Sequence, residues 1–103
     1  GLPDGTGDAA YLEAIRAEVP ALVDRASPDV VFFNAGVDPH GEDRLGRLSL
    51  TDEGLYQRNL FVIDAVRERG VPLVGVLGGG YSADVDVLAR RHALLHRAAA
   101  RFA

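Results

Sequence analysis

Val30-Val31-Phe32-Phe33-Asn34-Ala35-Gly36-Val37-Asp38-Pro39-His40-Gly41-Glu42-Asp43-Arg44-Leu45-Gly46 is the stretch that decides how this chain is read. Its first four residues are β-branched or aromatic with no polar alternation, which predicts a strand buried on both faces. Three glycines and a proline then exclude helix, and Asp38, His40, Glu42 and Asp43 fall within six positions. An open parallel sheet binds its ligands outside the carboxyl ends of its strands, which is where this acidic loop sits.

A similar pattern follows downstream. Thr51 reads as an N-cap with Asp52 and Glu53 in the first turn. Leu55, Leu60, Val62, Ile63 and Val66 form an apolar stripe that ends at Gly70, a C′ glycine. Pro72 to Leu77 reads as a second buried strand, apolar on both faces except at Gly75. Gly78-Gly79-Gly80-Tyr81 then turns the chain into a last helix from about Ala83 to Phe102. Upstream, Asp8 is a candidate N-cap for an amphipathic helix from Ala9 to about Arg25, with Pro20 expected to kink or divide it.

The order is therefore α-β-α-β-α, with a helix of crossover length between the strands. That is the pattern of a parallel sheet inside a three-layer α/β/α fold. Two strands do not make a stable α/β sheet, and strands buried on both faces call for neighbours absent from this sequence. Residues 1–103 are thus expected to be the C-terminal part of a larger α/β domain.

Composition narrows the function. The 103 residues carry a net charge of −4, with eleven arginines and no lysine dispersed among fifteen acids. No basic surface for nucleic acid is expected. The absence of cysteine removes disulfides and thiolate metal sites. No apolar run approaches a membrane span, and Gly1 opens onto a Gly/Pro/Asp segment rather than a secretory leader, so a cytoplasmic location is expected.

Each candidate site residue has two readings. Asp38, a carboxylate at a strand end among glycines, is a reasonable zinc or hard-metal ligand; the plainer reading is a loop aspartate capping its own turn. His40 stands in an Asp-x-His chelating arrangement, but a loop-stabilising hydrogen bond is the better expectation. The Gly78–Gly80 turn lacks the Lys-Ser/Thr of a P-loop and the dinucleotide spacing. It could cradle an anion, bring backbone close to a ligand with Tyr81 raised as a donor, or simply turn with Tyr81 packed on the core. His92 and His96 lie four apart but flank an apolar helix face, which favours packed or edge histidines. Arg67, Arg69, Arg90, Arg91, Arg97 and Arg101 read as a solvated helix surface.

Asn34 to His40 with Asp43-Arg44-Leu45-Gly46 resembles the glycine–x–aspartate segment of the histone deacetylase family, which includes acetoin-utilisation-type and acetylpolyamine deacetylases. Gly78-Gly79-Gly80-Tyr81 resembles that family's glycine-rich turn with its catalytic tyrosine, and Leu2 to Asp8 with Tyr11 resembles the stretch preceding both. The resemblance implies an arginase/deacetylase-like fold and a zinc-dependent amidohydrolase. In it Asp38 would be the last of three protein ligands to Zn(2+), and zinc-bound water would attack an acyl amide. Tyr81 would donate to the oxyanion, while Leu45, Gly79 and Gly80 would contact substrate. The implied substrate is an acyl-lysine protein or peptide, or an acylated polyamine or other small amide. The family's tandem histidines and first ligand pair do not occur in this sequence, so these residues alone are expected neither to bind zinc tightly nor to turn over substrate. The rival expectation is a noncatalytic α/β module whose strand-end loops bind a small anion or a protein.

Overall fold

A computed structural model describes all residues, Gly1–Ala103. Its elements are α1 (Asp8–Ala26), β1 (Val31–Gly36), α2 (Asp52–Glu68), β2 (Leu73–Gly78) and α3 (Val85–Ala100). β1 and β2 pair in parallel, Val31 opposite Leu73 and Gly36 opposite Gly78, so both strands finish at one rim. Parallel neighbours need a long connection, and α2 provides it. No helix is long and apolar enough to cross a membrane.

Local chemistry accounts for the helix ends. Thr51 caps α2 by accepting the Gly54 N–H at 3.1 Å. At the other end the Gly70 and Val71 N–H groups return to the carbonyls of Arg67 and Val66, with Gly70 as the C′ residue. Asp84 caps α3 through the N–H groups of Asp86 and Val87, which starts the helix two residues later than expected.

Two expectations for α1 are corrected. Pro20 does not divide the helix, which runs unbroken through it. Asp8 is not the cap of α1, since Gly7 holds that position without a side-chain bond. The Asp8 carboxylate instead crosses to the start of α2, accepting from the Thr51 N–H at 2.9 Å and from the Thr51 hydroxyl. A carboxylate at a helix N-terminus is favoured by the dipole, and here it ties α1 to α2.

The strands are not buried on both faces. β1 also runs further than its apolar run predicts, from Val31 to Gly36. Phe33 and Ala35 point into a core with Ile63 of α2 and Leu95 and Ala98 of α3. On the opposite face Phe32 is 70% exposed and Val74 and Val76 about two-fifths exposed. The physical reason is that α2 and α3 cover one face, whereas α1 packs on α2 and leaves the other open. A second apolar cluster, Val37, Leu50, Leu55 and Leu94, lies directly under the loop that leaves β1. Burying each such side chain contributes about 1.5–3 kcal/mol, which gives that loop a firm floor.

Candidate metal and oxyanion site

The register of the sheet places the two loops singled out by sequence side by side. Val37 continues past β1 by donating its N–H to the Gly78 carbonyl at 3.3 Å. Asp38 follows, half-buried, with its carboxylate lodged between two glycines. A Cβ on Gly36 would stand 2.7 Å from Asp38 Oδ1, and a Cβ on Gly79 would meet the same oxygen closer still. The Asp38 carboxylate has no hydrogen-bond or ion-pair partner within the chain. Gly79 and Gly80 adopt φ values of +60° and +94°, a region that disfavours side chains. Gly80 is further crowded by Val37 and by Leu88 and His92 of α3. These glycines let the turn pass against the β1 loop, and they present Tyr81, about half-exposed, at the same rim.

Asp43 holds the arrangement together. One of its oxygens, Oδ1, accepts from the N–H groups of Leu45 and Gly46, each at 2.9 Å. The other, Oδ2, accepts from the Tyr81 N–H at 2.6 Å. The Arg44 N–H donates to the Tyr81 carbonyl at 2.9 Å, so both main-chain groups of the tyrosine are engaged. Burial by itself would raise the Asp43 carboxyl. The three backbone donors and the charge of Arg91 outweigh it and hold the group below the usual carboxylate range. Leu45 projects from this segment, 67% exposed.

His40 points elsewhere. Its Nδ1 accepts from the Glu42 N–H at 3.0 Å and its Nε2 lies 2.9 Å from Asp52 Oδ1. Both ring nitrogens are committed to the loop and to the start of α2, as a stabilising rather than a chelating residue. His92 is half-buried beside Gly80 with Nδ1 lacking a partner, and His96 is exposed.

Three contributors escaped the sequence reading. Arg91 is not part of a solvated surface: it is 3% exposed and donates to Glu42 Oε2 at 2.8 Å. Arg58 is equally buried, donating to the Gly36 carbonyl at 2.7 Å and to the Asn59 side chain while its guanidinium lies over the Phe33 ring. Asp43 stood in the sequence as one of four titratable loop residues and as part of the resembling motif, without a role of its own. The signal for Arg58 was present, since Leu55, Arg58, Asn59 and Val62 occupy successive positions of one helix face.

No three side chains among His, Cys, Asp and Glu converge as a metal-binding group. The fit to zinc is therefore partial: this stretch offers one unpaired anionic donor, Asp38, where a catalytic site wants three protein ligands and an open position.

Residues 1–97 match the histone deacetylase domain family. The chain is 44% identical, over 96% of its length, to an uncharacterised protein of Picosynechococcus, of which it spans 33%. It is 31% identical, over 84% of its length, to a "Probable deacetylase" of Methanothermobacter thermautotrophicus, of which it spans 24%. The backbone superposes on the crystal structure of the HDA15 HD domain with a TM-score of 0.69 at 25% identity, covering 96% of this chain and 26% of that one. The chain thus spans about a quarter to a third of each of these three proteins.

Proposed function

The chain belongs to the histone deacetylase family, and on that premise we propose that the protein containing it is a zinc-dependent deacetylase acting on linear amides. Asp38 is the metal ligand that this stretch contributes, and the remaining ligands come from residues outside these 103. When bound, zinc supplies a Lewis acid for the amide carbonyl and makes an attacking water more acidic. Tyr81 donates its phenolic hydrogen bond to the developing oxyanion, the role of a preorganised donor at a charge that forms only in the transition state. Leu45, Gly79 and Gly80 line the approach of the acylated amine chain, either an acyl-lysine side chain or an acylated polyamine-like alkylamine.

The observation that carries this reading is the meeting of the Asp38 carboxylate with Gly79, two residues before Tyr81, at the shared end of both strands. A carboxylate without a partner in the chain, set against a turn that only glycine fits, is what a ligand site needs and a simple loop does not.

The test uses the intact protein with an acetyl-lysine peptide and an acetylated alkylamine as substrates. Tyr81→Phe is expected to keep its zinc and lose about 10²–10³ in turnover, the usual effect of removing one oxyanion donor. Asp38→Asn is expected to lose the metal. Wild-type protein that hydrolyses neither substrate when loaded with zinc would overturn the proposal.

A further inference from the structure

We propose that Asp43 is a positioning residue for Tyr81, setting the phenol relative to Asp38 and Leu45 through the main chain; this rests on the deacetylase reading above. Gly79 and Gly80 have the widest conformational freedom of any residues, so the covalent chain leading to Tyr81 does not by itself determine where the tyrosine stands. The location is set instead by the Asp43 carboxylate at the Tyr81 N–H, 2.6 Å, and by the Arg44 N–H at the Tyr81 carbonyl. The phenol makes no hydrogen bond of its own within the chain and is half-exposed, so its backbone is the part held.

The same carboxylate registers three parts of the rim. Its Oδ1 fixes the Leu45 and Gly46 N–H groups, and Gly46 packs against the Asp38 carbonyl so closely that a Cβ there would overlap it. Asp43 is 9% exposed, where hydrogen bonds to a carboxylate are stronger than at the surface. Arg91, 3% exposed on α3, lends its charge to Asp43 while pairing with the neighbouring Glu42. An aspartate suits the position because the group must accept at both oxygens. An asparagine can keep Oδ1 on Leu45 and Gly46, but it would turn an NH₂ donor toward the Tyr81 N–H.

Asp43→Asn, Tyr81→Phe and the double variant are made in the intact protein and compared in four measurements: kcat, KM, zinc content, and deuterium exchange of the segment spanning Gly78 to Ser82. Asp43→Asn is expected to lower kcat about 10²-fold, the scale of a misplacement near 1 Å. KM and zinc content should stay within about twofold, and exchange at the Gly78–Ser82 segment should accelerate. Combined with Tyr81→Phe it is expected to add little, because both changes act through one phenol. Wild-type kcat, unchanged exchange, or losses that multiply in the double variant would each overturn the role. Asp43→Glu keeps the charge with a displaced acceptor and serves where the Asn variant does not fold: its kcat loss must likewise vanish in the Tyr81→Phe background. A Tyr81→Phe protein as active as wild type would instead sink the deacetylase reading of Tyr81, whatever Asp43 does.

Discussion

Arg58 Nη1, in the middle of α2, donates to the carbonyl of Gly36, the last residue of β1, at 2.7 Å. Arg58 is 3% exposed, and its guanidinium shares Asn59 Oδ1 through two further nitrogens and sits 5.5 Å from the centre of the Phe33 ring. A crossover helix thereby grips the strand end from which Asp38 departs. Arg58→Leu leaves the Gly36 carbonyl and the Asn59 amide without their donor in the interior, at about 1–3 kcal/mol for each. Arg58→Lys should recover only part, since one ammonium cannot reproduce a planar fork. Urea unfolding of the intact protein measures both, and equal stability of Arg58→Leu and wild type would refute the grip.

Gly79→Ala should be more damaging to the site than to the fold. The substitution forces a side chain at φ +60° and drives a methyl into the Asp38 carboxylate. The expected result is a zinc affinity lowered at least tenfold, in line with the loss on disturbing a ligand's surroundings. Titration of the apoprotein with zinc reads it directly, and wild-type affinity in the alanine variant would show that Asp38 is free to move away.

Acid should weaken the rim through Asp43. Its carboxyl titrates below the usual aspartate value of about 3.9 in the folded protein. Between the two values the unfolded chain holds the extra proton, so stability rises with pH there. The contribution is fully present above the unfolded value and is lost as pH falls through the folded one. Asp43→Asn should flatten this acid limb of a stability–pH curve, and an unchanged limb would assign the acid sensitivity to other groups.

His40 should matter to stability and not to metal. With Nδ1 accepting from the Glu42 N–H, it is Nε2 that faces Asp52. His40→Ala is expected to cost about 1–3 kcal/mol, because it removes a buried ring and the acceptor of the partly buried Glu42 N–H; the exposed Asp52 is rehydrated. Zinc content per intact protein should be unchanged, and a fall in bound zinc without loss of fold would instead make His40 a ligand.

The element order, the parallel pairing and the C-terminal rim were legible because they depend on local rules. Thr51 can cap only a helix that starts there, Gly70 can end it, and a crossover-length helix between two apolar runs leaves few topologies. Family resemblance singled out Asp38 and Tyr81, and the register of β1 with β2 brings their loops together. The one-sided exposure of Phe32, Val74 and Val76 was not legible, since an apolar run reads alike whether or not a layer lies over it.

The residues that hold the site were decided by tertiary structure alone. Arg91 reads as a surface cation because sequence records a charge and not the carboxylate waiting across 49 positions of chain; Arg58 stands on an apolar helix face, but the Gly36 carbonyl it meets across 22 positions is not written there. Asp8 reads as a cap for its own helix and serves another. Asp43, among four acidic or titratable residues in one loop, is set apart only by the three N–H groups that close around it. Periodicity and turn chemistry act between near neighbours and so are written in order along the chain. The pairing of a buried polar group depends on which distant backbone atom folding brings within 3 Å, and that information exists only once the chain has closed.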